Sequence, residues 1–258
     1  MLFKGYFDGG NDPSNPHDRY VTLTAIYSDK ASLRALSCDW VRVLAKHSVD
    51  YLHTTDDVKA GRHKLLSDCV DLIAEHVVKD GSFRGIIPTP VTVDAREFRS
   101  VRNELPNGPQ ILSEGLAIHS LHRVIQGCRE IARRHQEDNT KIFYDLYFDR
   151  GEPYRGHIID RFENQEFKRW AIEKTGIDIE RYFQVHPPSD CRDFPELQVA
   201  DLFSWCHSRY YNVRFEWQHR LLEIKCDGQR ITRNTLINPN LATLDIIKSL
   251  RLPKRAKK

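Results

Sequence analysis

From Lys141 to Asp149 the chain reads Lys-Ile-Phe-Tyr-Asp-Leu-Tyr-Phe-Asp, and nearly every residue is apolar or aromatic. A strand that is apolar on both faces needs cover on both, which places it inside a sheet with helices above and below. An α/β or α+β architecture follows, and the other elements are read around this run. Leu2–Phe7 is short and aromatic and ends at Asp8-Gly9-Gly10, a strand entering a turn. Tyr20–Tyr27, rich in β-branched and aromatic residues, predicts a second strand. Residues 83–93 predict a third. It contains Pro88 and Pro90, which cannot donate to a ladder, so it belongs at a sheet edge. Ile179–Val185 predicts a fifth strand, giving the spatial order three-two-one-four-five.

Helical segments are legible in five places. Leu33, Leu36, Trp40 and Val43 follow a cap at Ser28-Asp29 and predict a helix to about His47. Leu65, Leu66, Cys69, Leu72, Ile73 and His76 predict a second, with Asp50–Gly61 as loop between them. Pro109 opens a long helix with the stripe Ile118, Leu121, Ile125, Cys128 and Ala132. Tyr154–Thr175 and Pro195–Tyr210 complete the set. Residues 29–79 read as a helical insertion between strands two and three of one domain over 1–215. Residues 216–258 read as an extension, with a tight turn at Asp227-Gly228, a short helix from Asn238-Pro239 and a basic tail from Arg251.

Composition narrows the classes. The 258 residues, 40% of them hydrophobic, suffice for one large domain. No apolar run approaches the ~20 residues of a membrane span, and the first residues lack a signal-like apolar segment. Six scattered cysteines suggest neither a disulfide framework nor a Cys-rich zinc site. The expectation is a cytoplasmic protein without membrane contact. A net charge of +3 does not by itself mark a nucleic-acid binder.

The acidic residues are more telling. Asp8 and Asp149 each end an apolar strand, and if those strands are parallel neighbours both carboxylates emerge at one sheet end, where ligands bind. Gly9 and Gly10 would let a ligand approach the backbone. A plain turn-forming role is the alternative for either aspartate. Glu114 lies on the apolar stripe of the long helix, one turn in, where a charge needs compensation or serves the helix N-terminus. Asp201 sits in Leu197-Gln-Val-Ala-Asp-Leu-Phe-Ser-Trp205 with little solvent face. It needs a cation, strong donors, or an ion pair with Arg192 or Arg209. The small Ala200 and Ser204 would leave room beside it. Four converging carboxylates suit Mg²⁺ or Mn²⁺. Two such ions about 4 Å apart stabilise the attacking and leaving oxygens of phosphodiester cleavage.

The order strand, strand, strand, helix, strand, helix, strand, helix is that of ribonuclease H-like folds. With Tyr6-Phe-Asp-Gly-Gly10, Tyr147-Phe-Asp149 and Leu197-Gln-Val-Ala-Asp-Leu202, the chain resembles the bacterial and phage family called domain of unknown function 3800. Leu52-His-Thr-Thr-Asp56 resembles that family's His-containing segment. The resemblance covers most of residues 1–210 and implies a ribonuclease H-like fold and a metal-dependent nuclease. The family more often has Asp-Glu-Ser-Gly where this chain has Asp8-Gly9-Gly10, so one acidic neighbour is missing. Asp-Gly-Gly is closer to the Asp-Gly-Ser of ribonuclease H itself. Glu114 carries over least directly, with Glu97 and Glu104 as rivals.

The reading is a Mg²⁺- or Mn²⁺-dependent nuclease, a hydrolase acting on RNA, DNA or a hybrid. Asp8, Asp149 and Asp201 would hold the metals with Glu114 assisting, and His53 would act as a proton carrier. One alternative is a non-catalytic nucleic-acid- or protein-binding module on the same fold. Another is a phosphoesterase whose metal is held by His53 and His63. Arg150 and Arg155 flank the proposed site. Arg96, Arg99, Arg102, Arg133 and Arg134 read as solvated faces.

Overall fold

The computed structural model describes residues 1–11, 15, 17–79, 84–96, 108–134, 142–175, 178–226 and 229–230. Its centre is a mixed five-stranded sheet of β1 (Leu2–Gly10), β2 (Tyr20–Asp29), β3 (Ile87–Asp94), β4 (Phe143–Phe148) and β5 (Phe183–Val185). The order is β3-β2-β1-β4-β5, as the apolar run and the two prolines require. β1 pairs antiparallel with β2 and parallel with β4; β2–β3 is antiparallel and β4–β5 parallel.

Helices cover both faces. Alternate residues of each strand point to opposite sides, so Tyr6, Ile26 and Tyr147 face one core and Phe3, Phe7, Leu23, Leu146 and Phe148 the other. The first core is closed by α1 (Lys30–Lys46), α3 (His63–His76) and, in the last third of the chain, a helix over Pro195–Ser208. The second is closed by α4 (Gly108–Arg134) and α5 (Tyr154–Glu163). Trp40 is the largest fully buried side chain of the first core. The fold class is therefore α/β, a mixed sheet flanked by helices.

Several elements differ from the sequence reading. β1 does not end before Asp8: Asp8 pairs with Thr24 and Gly10 with Thr22, so the ladder carries Asp8 inside the strand. The stretch read as loop contains α2 (Thr54–Lys59), too short to show an apolar period. Residues 29–79 thus form three helices, and among the described residues no strand lies between β2 and β3. On α4 the buried stripe is Leu116, Leu121, Val124, Cys128 and Ile131, while Ile118 and Ile125 sit at its rim.

The helix expected over Tyr154–Thr175 breaks at Asn164, which is extended (ψ 114°). The Asn164 side chain accepts the Phe167 N–H and so starts α6 (Gln165–Thr175). Ile179 does not start a strand. Ile179–Tyr182 is the short helix α7, capped by Asp178 through the Arg181 N–H, and only Phe183–Val185 reaches the sheet. Pro195–Ser208 is α8, followed by a 3₁₀ turn at Tyr210–Asn212 and by α9 (Glu216–Glu223), which the sequence reading lacked. β6 (Lys225–Cys226) and β7 (Gln229–Arg230) flank the expected turn. Asp227-Gly228, the helix at Asn238-Pro239 and the basic tail lie outside the described residues, as do Glu97, Glu104, Arg99 and Arg102.

Candidate acidic site

Asp8 follows the first-core face of β1, in phase with Tyr6, and is only 6% exposed. α8 docks on this spot through Ser204, whose hydroxyl donates to the Asp8 carbonyl at 2.7 Å and is hydrogen-bonded to Thr24 Oγ1 at 2.8 Å. Asp201, three residues earlier on α8, lies on the same helix face. The docking bond therefore brings Asp201 to the Asp8 side chain. Ser204 was read as leaving room beside Asp201; instead it is fully buried as the clamp between helix and sheet.

Gln198, one turn back on α8, arranges the surrounding loops. Its Oε1 accepts from Trp40 Nε1 (2.8 Å) and from the Leu52 N–H (2.9 Å), and its Nε2 donates to the Cys191 carbonyl (2.8 Å). These bonds hold the Leu52-His53-Thr54 and Cys191 loops against α8. The Thr54 N–H then donates to Asp201 Oδ2 at 2.7 Å. Neither expected arginine pairs with Asp201: Arg192 lies over the Tyr51 ring (5.0 Å) and Arg209 over the Trp205 ring (4.4 Å).

Asp149 leaves β4 directly beside β1. Its N–H donates to the Phe7 carbonyl at 3.1 Å, and it bridges Ser189 on the other side. The parallel β1–β4 pairing therefore places Asp8 and Asp149 at one sheet end. Asp149 Oδ1 is buried with no hydrogen-bond partner. After Asp149 the chain turns through Gly151, whose φ of +91° suits glycine, and Glu152 folds back over Gly9. A Cβ on Gly9 would stand 2.6 Å from Glu152 Oε2, and one on Gly10 would stand 2.6 Å from the Ser204 carbonyl oxygen. The two glycines do not open space for a ligand. One admits a carboxylate and the other admits helix α8.

The electrostatics show how closely these groups gather. Burial raises the Asp8 carboxyl well above the usual carboxylate range, and Asp201, Glu152 and Asp149 push it further in that order. Asp201 is raised mainly by burial, against the Thr54 N–H and hydroxyl and the neighbouring His53, while Asp57 adds to the rise. Asp149 is raised by burial, with Asp190 and Asp201 adding and the amides of Arg150 and Cys191 opposing. Burial pushes the Cys191 thiol up to about 12, and Asp149, Asp8, Asp190 and Asp201 all add to the shift. Asp8 itself has no Lys, Arg or His partner among the described residues.

The remaining expected residues fall elsewhere or play other parts. Glu114 is on α4, across the sheet from α8, and its carboxylate pairs with Arg161 of α5. It is not one of the carboxylates acting on Asp8, because its helix covers the opposite core. His53 lies near Asp201, and its Nδ1 bonds Asp56 at 2.9 Å. His63 does not join it: its Nδ1 accepts from Trp217 Nε1 (3.4 Å) and its ring meets Phe215. Arg150 is exposed and 3.9 Å from Asp190. Arg155 donates to the His186 carbonyl. Glu152 and Asp190 were missed. Glu152 stands three residues after Asp149 in Asp149-Arg-Gly-Glu152, where the glycine turn was its only signal.

Among the described residues, no three His, Cys, Asp or Glu side chains form a ready cage for a metal ion. The donor chemistry nonetheless fits a hard dication: several carboxylates gather, one buried oxygen on Asp149 has no partner, and Asp8 faces three carboxylates with only the Gly9 amide opposing them. No helix among the described residues is long and apolar enough to cross a membrane.

No family model matches the chain, and no curated protein does. Among solved structures, a chain of the PCNA:RNase HII complex from Archaeoglobus fulgidus aligns over 100% of this chain and 96% of its own length. The aligned chains are 14% identical and the TM-score is 0.35. A superposition that loose carries no argument about activity.

Proposed function

We propose that the chain is a Mg²⁺- or Mn²⁺-dependent nuclease cleaving phosphodiester bonds in RNA or DNA. The observation that carries this reading is Asp8: a carboxylate 6% exposed, facing Asp201, Glu152 and Asp149, with no cationic side chain among the described residues to compensate it. Like charges gathered without a counter-charge are costly, and a bound dication removes that cost. Asp8, Asp149 and Asp201 would hold the metal, with Glu152 beside them in place of the missing acidic neighbour of Asp8. When bound, the metal supplies Lewis-acid stabilisation of charge on the phosphate and lowers the pKa of water.

The chain's own residues supply positioning. Ser204 fixes α8 on β1, and Gln198 and Thr54 fix the loop that bears His53. His53, partly exposed and bonded to Asp56, is the group near Asp201 that can carry a proton to or from solvent. Glu114 has no part in this reading, since Arg161 engages it from the other face.

The test is cleavage of labelled single-stranded RNA, single-stranded DNA and an RNA–DNA duplex with Mn²⁺, Mg²⁺ or EDTA. Metal-dependent cleavage that is lost in Asp8→Asn and Asp201→Asn supports the reading. Oligonucleotide binding without cleavage under any metal would replace it with a non-catalytic binding module.

A further inference from the structure

A second cluster lies along the sheet from the acids. At the end of α8, the 3₁₀ turn lays the Tyr211 ring on Tyr20, the first residue of β2 (centroids 4.7 Å, planes 21° apart). Tyr210 meets Tyr211 edge-on at 5.2 Å. The Arg19 guanidinium sits over Tyr20 at 4.9 Å and 5.9 Å from the Tyr211 ring centre, held in place by Asp94 at 3.0 Å. Tyr211 nevertheless remains 60% exposed, and Val213 and Arg214 beside it are exposed as well. The stack is thus braced from behind by an aromatic ring and a cation while much of its outer surface meets water.

Such an arrangement suits a planar partner carrying negative charge. A nucleobase stacks on any aromatic face whatever its sequence, and guanidinium groups nearby meet its phosphates. Bases within a duplex are already stacked on each other, so the platform favours unpaired ones. Its position fits too. Asp8 pairs with Thr24, and Tyr20 lies four residues further along β2. At ~3.3 Å per residue that is about 13 Å, or roughly four base steps at ~3.4 Å each. The second half of α8 spans the same interval, from Asp201 at mid-helix to the Tyr210–Asn212 turn just beyond its C-terminal end.

We propose that Tyr211, braced by Tyr20 and Arg19, is a stacking platform for an unpaired base of single-stranded nucleic acid whose backbone runs on to the Asp8–Asp201 site. This rests on the nuclease reading and names its substrate as single-stranded. Arg19 and Arg214 contact the strand's phosphates, and Asp94 keeps Arg19 in place over the rings.

The experiment is fluorescence anisotropy of the full chain with three labelled probes of about 20 nucleotides, oligo-dT, oligo-U and a DNA duplex, in EDTA. Cleavage of the same probes is measured with Mn²⁺. Tyr211→Ala is expected to weaken binding of both single strands by about tenfold or more, with duplex binding changed less than twofold. Tyr211→Trp is expected to keep binding. Tyr211→Leu retains apolar cover over Tyr20 without an aromatic face, and is expected to lose binding like Tyr211→Ala. Single-strand binding unchanged in both Tyr211→Ala and Tyr211→Leu overturns the platform and leaves the nuclease reading standing. Equal loss on single strands and duplex also overturns it. A wild type that neither binds nor cleaves any probe overturns the nuclease reading, and the platform with it.

Discussion

Gly9 has no side chain where Glu152 puts its carboxylate: Oε2 stands 2.6 Å from the position a Cβ on Gly9 would take. Glu152, which follows Asp149 in sequence, thus brings its carboxylate to act on Asp8 across a residue with no side chain. Glycine at position 9 and glutamate at 152 are one feature, because any side chain on residue 9 would displace the carboxylate that adds to the charge on Asp8.

The two glycines are expected to respond differently to alanine. In Gly9→Ala the close atoms belong to the Glu152 side chain, whose end can swing away, and to the Tyr154 ring at 2.7 Å. In Gly10→Ala they are the backbone carbonyl of Ser204, which cannot move without lifting α8 off the sheet. Gly10→Ala is expected to cost about 3 kcal/mol or more and Gly9→Ala about 1–2 kcal/mol. Urea unfolding measures both, and equal losses would count against the docking of α8 described here.

Glu114→Gln is expected to leave any cleavage intact while lowering stability. Its partner Arg161 is 11% exposed and would lose its counter-charge, a loss of about 1–3 kcal/mol. A nuclease assay beside a melting curve checks both parts. Loss of cleavage in a folded Glu114→Gln protein would return Glu114 to the site.

How much of this was legible follows from which signals are local. The buried run around Leu146 announced a central strand, and Pro88 and Pro90 announced an edge, because both effects act within one strand. Asp8, Asp149 and Asp201 were legible because each is a charge in an apolar stretch. Glu114 met the same criterion, yet the structure pairs it with Arg161 on the opposite face of the sheet. A charge on an apolar stripe is compensated wherever a cation reaches it, and Arg161 comes from a helix 47 residues away in sequence. Ile179–Val185 was misread because a short β-branched and aromatic segment looks alike in either state, and the Asp178 cap decided for a turn of helix. Glu152 was missed because its place depends on the turn at Gly151 folding it back over Gly9, a contact between residues far apart in sequence.

His207 gives the acid limb of stability. It is 2% exposed on α8, its Nε2 has no hydrogen-bond partner, and burial lowers its pKa to about 3. Between that value and the ordinary ~6.5 the unfolded chain binds a proton that the folded chain refuses. Stability due to this residue is therefore present above about pH 6.5 and lost as pH falls, at up to ~1.4 kcal/mol per unit. His207→Leu is expected to flatten the fall of melting temperature between about pH 6.5 and 4. An unchanged slope would show that His207 finds a partner when protonated.

Asp8 acts in the opposite direction and decides whether the acidic cluster is strained. Burial and three neighbouring carboxylates favour its protonated form, so the folded chain keeps a proton there that the unfolded chain has released. Metal-free stability should then rise as pH falls through the window between the ordinary carboxylate value and the raised one, and decline as pH rises through it. Asn resembles protonated Asp in size and carries no charge. Metal-free Asp8→Asn is therefore expected to melt above the wild type near pH 8, by on the order of 1.4 kcal/mol per unit of raised pKa. The gap should close as pH falls below about 4, where Asp8 becomes neutral in both states. Millimolar Mn²⁺ should raise the wild-type melting temperature at pH 8 and leave Asp8→Asn nearly unmoved, because the substitution removes one anionic ligand. Melting of both proteins at several pH values, with Mn²⁺ or EDTA, measures all of this. A wild type more stable than Asp8→Asn at every pH, with no response to Mn²⁺, would mean that a cationic or donor group already satisfies Asp8. The acidic cluster would then be a structural ion network, not a metal site.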